Sequence, residues 1–162
     1  LEFSRTAGPA LLGYGESSDA HHMSAPEPEG RGAIAAMTAA MQRAGLEAGA
    51  VDYVHLHGTG TPANDLAEDR AVYALLGTAT PCSSTKGWTG HTLGAAGIMG
   101  AVFSLLALEQ GLLPRSLNTR VIDPELRANI LLENRAAPVR HALSNAFGFG
   151  GSNCALVFGV QA

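Results

Sequence analysis

Charge is scarce in this sequence of 162 residues: Asp, Glu, Lys and Arg together make up 15% of it, and the net charge is −4. No cluster of lysines and arginines exists, so no nucleic-acid partner is expected, because phosphate backbones are gripped by basic patches or stripes. Cysteine is scarcer still, with two, Cys82 and Cys154, far apart in the chain. Their spacing matches neither a zinc site nor a disulfide framework, which makes a reducing compartment, the cytoplasm, the expectation. Long apolar runs are also lacking. The best, Thr92 to Leu108, has 17 uncharged residues and three glycines. That is at the lower limit for a membrane span, so a buried core helix and no membrane contact are expected. The opening stretch, LEFSRTAGPALLGYG, has no signal-peptide core and no initiator methionine, and reads as the inside of a longer polypeptide.

What is abundant is apolar surface. The hydrophobic fraction is 46%, too high for disorder and sufficient, at this length, for one domain with a real core. ALLGYG (10–15) predicts a strand, and the polar loop that follows, with two histidines and two prolines, ends near Gly30. From Arg31 to Ala44 the apolar positions Ile34, Met37, Met41 and Ala44 recur at helical spacing, with Gly45 and Gly49 as stops. VDYVHLHG (51–58) predicts a strand apolar on both faces, as in a sheet covered on both sides. A helix is expected from about Leu66 to Leu76, with Asp65 and Glu68 at capping-box spacing. PCSSTK (81–86), ANILLE (128–133), ALSN (142–145) and CALVFGV are further strand candidates. Thr92 to Glu109 predicts a helix apolar around nearly its whole circumference, with Gly94, Gly97 and Gly100 clearing a stripe for close packing. Strands alternating with helices imply a layered α/β domain. The division expected is a lead-in strand and loop over 1–30 and a main domain over 31–162.

Three segments share one design: a strand runs into a glycine-rich turn that carries a polar group. His57 ends the first, Lys86 ends the second with His91 just beyond, and Asn145 precedes the glycines of the third. Were these strands parallel neighbours, the groups would converge on one rim, where ligands meet α/β sheets. Two neutral histidines near a lysine suit a reaction that develops negative charge on a carbonyl oxygen, because both residue types stabilise it and the lysine disfavours imidazolium.

VDYVHLHGTGTPANDLAEDRAV, SSTKGWTGHTLGAAG and NAFGFGGSNCALVFG, in this order, resemble the carboxyl-terminal half of the β-ketoacyl-acyl carrier protein synthases, the condensing enzymes of fatty acid and polyketide synthesis. The resemblance implies a thiolase-like fold, of which this chain would be one half of an αβαβα sandwich, a mixed sheet with flanking helices. It sets the 92–109 helix in the central layer between two sheets, so in this half one side of that helix is expected to be bare. It implies that His57 and His91 hold the malonyl thioester carbonyl and stabilise the enolate formed on decarboxylation. Lys86 matches the supporting lysine, and Glu68 the glutamate that pairs with it. Phe149 matches a gating phenylalanine whose backbone N–H serves the oxyanion hole, and Thr59 and Thr61 match threonines that line the pantetheine entrance. Implied partners are an acyl carrier protein bearing acyl and malonyl groups, the amino-terminal half of the enzyme and, for the parent, a homodimer. No cofactor is implied. The family nucleophile is a cysteine of the amino-terminal half. Cys82 and Cys154 occupy no nucleophile elbow, so both read as packing thiols and the chain alone is expected to be inactive. Some members of the family bind a structural cation, but here His55 and Gly100 stand where an amide and a carboxylate are expected, so no metal is assigned.

Two other readings were weighed. TGHTLGAAG comes close to the glycine fingerprint of short-chain reductases, but no acidic ribose partner follows about 20 residues on and no Tyr-x-x-x-Lys exists. A non-condensing partner subunit, acting as an interaction module, is the non-enzymatic alternative. The intact His57 and His91 argue against it.

Overall fold

The computed structural model describes residues 8–160. Twelve elements follow in the order β1 (Pro9–Ser18), α1 (Arg31–Ala44), β2 (Tyr53–His55), α2 (Pro62–Leu76), β3 (Pro81–Ser83), α3 (Lys86–Thr89), α4 (Ala96–Gln110), β4 (Leu112–Leu113), β5 (Asn129–Ile130), β6 (Arg135–Ala136), β7 (His141–Gly148) and β8 (Ser152–Val160). Six strands form one mixed sheet in the order β1-β8-β7-β2-β3-β5. β1, β8 and β7 are antiparallel, whereas β7, β2, β3 and β5 run parallel. β4 and β6 make a small separate ribbon.

Alternation along the strands assigns each side chain to a layer. On one face Val54, Leu56, Leu143, Ala155 and Val157 pack against Met37 and Met41 of α1 and Ala71, Val72 and Leu76 of α2. On the other, Tyr53, Ala142 and Phe158 meet Ala101, Ala107 and Leu108 of α4. The layers are therefore helix, sheet, helix, with the sheet covered on both sides as the apolar β2 sequence requires. α1 lies unusually close to β1, because Gly13 and Gly15 offer it no side chains; a Cβ on either would collide with the Ala40 or Ala36 carbonyl.

Several local expectations needed revision. β1 extends through Glu16-Ser17-Ser18 because it pairs with β8 as far as Ser18↔Ser152. Backbone pairing there outweighs the polar composition. α2 starts at Pro62, with Thr61 in the N-cap position, four residues before the expected start; proline is at home in the first turn, and Asp65 and Glu68 form no capping box. β3 stops at Ser83, so Lys86 opens the α3 turn instead of ending a strand. The 128–133 strand shrinks to two residues at the sheet edge.

α4 is covered on one side and bare on the other, as expected of this helix in a half-molecule. Gly100, Ala101, Ser104, Ala107 and Leu108 are buried, yet Ile98, Val102 and Leu106 are 54%, 42% and 44% exposed. These three recur every fourth residue and form one open apolar stripe, continued by Leu93 at 70% exposure. Gly94 lies outside α4, in the preceding 3-10 turn, and clears no contact. Only Gly97 and Gly100 face the sheet closely.

Candidate active site

The sheet order places β7, β2 and β3 side by side and parallel, so their carboxyl ends share one rim. His57 lies two residues past β2, Lys86 three past β3, and Asn145 within β7. The convergence anticipated from the three motifs is present.

Glu68 and Lys86 meet at the backbone of His57. Glu68, 3% exposed on α2, accepts the N–H of His57 (2.8 Å) on one carboxylate oxygen and that of Gly58 (2.8 Å) on the other. A third donor, Asn145 Nδ2, joins from β7 at 3.1 Å. Lys86, the only lysine in the sequence, donates its Nζ to the His57 carbonyl. The two charged groups hold opposite ends of one residue, and they form no direct ion pair among the described residues. The expected Glu68–Lys86 pairing is therefore corrected to a shared clamp on His57. Burial pushes the Glu68 carboxyl upward from its usual range, opposed by its three donors. The ionised form, an acceptor on both oxygens, suits three donors best. Burial lowers the Lys86 ammonium, with Glu68 and Asp65 opposing.

The ring of His57 meets that of His91 edge-on, centroids 5.5 Å apart at 83°, and Phe147 leans on its other side at 5.7 Å. Burial, then the charge of Lys86, then His91 and His55 drive the His57 pKa down to about 3, so it is neutral at physiological pH. His91 sits before α4, and its Nδ1 accepts the N–H of Leu93 at 3.2 Å. An acceptor at Nδ1 leaves the proton on Nε2, which makes that atom a donor. Leu93 takes a left-handed backbone, φ 52°, to supply this bond, a conformation costly for a side chain of its size and found at functional turns. The site is thus a neutral His57 imidazole on a backbone held from both ends, with the His91 ring against it.

A cavity of about 440 Å³ opens beside it, lined by Thr59, Glu68, Lys86 and His91 and closed by loop residues such as Leu117 and Ile122. Thr59 Oγ1 lies 2.8 Å from Thr61 Oγ1, but Thr61 does not line this cavity. Phe149 stands 80% exposed at the tip of the β7–β8 hairpin, away from His57. Phe147, two residues earlier, makes the ring contact. That tip is tied to the 19–27 loop: Asp19 accepts Asn153 Nδ2 (2.7 Å) and Glu27 N (2.9 Å), and its own N–H donates to Gly151 (2.8 Å). Sequence reasoning did not single out Asp19, Asn153 or Phe147, and it named Asn145 without a role. Both cysteines are free, Cys82 is buried, and burial raises both thiols.

The residues present do not fit the family's structural cation. Gly100 offers no side chain, His55 offers nitrogen where a hard cation takes oxygen, and the imidazole itself reaches the notch at Gly100.

The α/β half thus brings a buried, neutral His57 on a clamped peptide together with the His91 ring at one rim of the sheet. A family profile described as "Beta-ketoacyl synthase, C-terminal domain" matches residues 10–120. The mitochondrial 3-oxoacyl-[acyl-carrier-protein] synthase of Arabidopsis thaliana is 46% identical over 156 residues, covering 91% of this chain and 34% of that protein. 3-Oxoacyl-[acyl-carrier-protein] synthase 2 of Staphylococcus aureus is 42% identical over 152 residues, 91% of this chain and 38% of its own length. A solved structure of a ketosynthase in complex with its chain length factor, from Xenorhabdus doucetiae, superposes with a TM-score of 0.92 at 48% identity, over 97% of this chain and 40% of the other. The chain belongs to the β-ketoacyl synthase family, has its thiolase-like fold, and corresponds to the carboxyl-terminal domain. It spans a little over a third of the length of the curated relatives it matches.

Proposed function

We propose that this chain supplies the enolate-stabilising half of a 3-oxoacyl-[acyl-carrier-protein] synthase that performs decarboxylative Claisen condensation in fatty acid or polyketide biosynthesis. In this reading the malonyl thioester enters on the pantetheine arm of an acyl carrier protein, past Thr59 and Thr61. Its carboxylate leaves as carbon dioxide, and the electron pair released forms an enolate whose oxygen receives hydrogen bonds from His57 and His91. The enolate carbon then attacks the carbonyl of an acyl-cysteine supplied by the amino-terminal half, and the tetrahedral oxyanion collapses with loss of thiolate. Phe149 would act at the mouth of that half. The buried, neutral His57 meeting His91 edge-on carries the proposal, since imidazolium at position 57 would bind the malonyl carboxylate and oppose its loss.

The open α4 stripe supports an apolar partner surface on the amino-terminal half, and without it the chain alone is inactive. A homodimeric parent in a reducing, cytoplasmic setting is the accompanying proposal, in keeping with two unpaired cysteines. The test is decarboxylation of malonyl-carrier protein by the complete synthase. His57→Ala and His91→Ala should each lower kcat by about 10²–10³, the usual loss for one oxyanion donor, while acylation of the nucleophile survives better. Parental decarboxylation by both variants would refute the assignment.

A further inference from the structure

The reaction proposed above makes no use of His55, the most enclosed histidine beside the site. It lies on the β2 face that meets α4 and is 2% exposed. Its Nε2 is 3.0 Å from Thr85 Oγ1. The ring stacks on Phe103 of α4, centroids 6.0 Å apart and planes 8° from parallel, and Trp88 of α3 meets Phe103 edge-on at 6.1 Å. Nδ1 is buried with no partner and points at Gly100, where a Cβ would stand 3.0 Å from it and 2.9 Å from Ser144 Oγ. The Thr85 carbonyl accepts the N–H groups of Trp88 (2.8 Å) and Thr89 (3.1 Å), so Thr85 anchors the turn whose first residue is Lys86. One side chain thus joins β2, the Lys86 turn and α4. Glycine is disfavoured inside a helix, and its presence at position 100 is explained by the imidazole and the Ser144 hydroxyl, which take up the room.

We propose that His55 is a built-in substitute for a structural cation: it fills the notch at Gly100 and, through Thr85, holds the Lys86 turn against β2, so the site assembles without a metal ion. The pairing is reciprocal. A carboxylate at position 100 would clash with the ring, and an amide at position 55 would leave the notch empty. Burial, with the charge of Lys86, pulls the His55 pKa down to about 4, so the substitute carries no charge of its own at physiological pH.

The role in holding Lys86 rests on the functional reading above, but the melting tests do not. The complete synthase is melted in potassium, sodium and choline chloride at equal ionic strength. The parent should melt at the same temperature in all three. The variant H55N/G100E, which restores an amide and a carboxylate, should melt about 2–4 °C higher in sodium or potassium than in choline. In a second arm, Gly100→Ala should lower the melting temperature of the parent, and lower it less in a His55→Ala background, where only Ser144 Oγ is left against the new methyl. A metal-specific shift in the parent, no added cation dependence in the double variant, or stabilisation of the parent by Gly100→Ala would each overturn the proposal. Where decarboxylation is measurable, the kcat lost in His55→Asn should return in H55N/G100E only with sodium or potassium. Parental melts in a synthase that decarboxylates nothing would sink the functional reading while leaving His55 in its role.

Discussion

If the α4 stripe is an unfilled interface, covering or recharging it must change how the isolated chain behaves. Complete burial of a large apolar side chain contributes about 1.5–3 kcal/mol. Were four such residues fully bare, about 6–12 kcal/mol would be unrealised. Leu93, Ile98, Val102 and Leu106 are instead 70%, 54%, 42% and 44% exposed. Scaling by those fractions leaves about 3–6 kcal/mol, still comparable to the lower range of a domain's net stability. The isolated chain should therefore self-associate at micromolar concentration and bind a hydrophobic dye. The variant I98K/V102E/L106K should sediment as a monomer and lose dye binding without a lower melting temperature, because its changes lie on the open side of α4. It should also fail to complement the amino-terminal half. A parent chain that is monomeric, dye-negative and melts cooperatively would refute the reasoning. So would association that persists unchanged in the variant.

Further outcomes follow from the site. Glu68→Gln turns an N–H towards either the His57 or the Gly58 amide and should cost about 1–3 kcal/mol, read as a lower denaturation midpoint in the complete synthase. Lys86→Met removes a donor to the His57 carbonyl and the positive charge beside the His57 and His55 rings, so it should reduce decarboxylation more than stability. His57 and His55 have folded pKa values of about 3 and about 4, both lowered from 6.5. The unfolded chain therefore binds protons more readily: stability should be full above about pH 6.5 and fall as pH drops towards 3–4, with a shallower slope in His57→Gln, as acid titration of the melting temperature would show.

The layered architecture was legible because periodicity reports which side chains meet the core. β2, with apolar residues on both faces, announced a sheet covered on both sides, and Ile34, Met37 and Met41 announced α1. The convergence of His57, Lys86 and Asn145 was legible because each glycine turn follows a strand. The Glu68 partnership was misjudged because backbone amides leave no trace in residue type: nothing in the letters indicates that Glu68 reaches the His57 N–H in place of Lys86. The start of α2 was misplaced by an attractive capping-box spacing when Pro62 was the stronger signal. The bare side of α4 was legible only by joining its all-round apolar pattern to the resemblance, which sets this helix between two halves; which residues face out could not be read from composition.

The position of β8 has a consequence for how the chain is made. The last strand, Ser152–Val160, lies between the first, Pro9–Ser18, and β7, and pairs residue 9 with residue 160. Among the described residues β1 pairs with β8 alone, so this ladder cannot form during synthesis until β8 has emerged. The buried glycines of β1 and the alanine face of α1 can dock early, but the ladder closes only then, and such long-range pairing is slow. Removing residues 152–160 would therefore take out an interior strand and detach β1 with it.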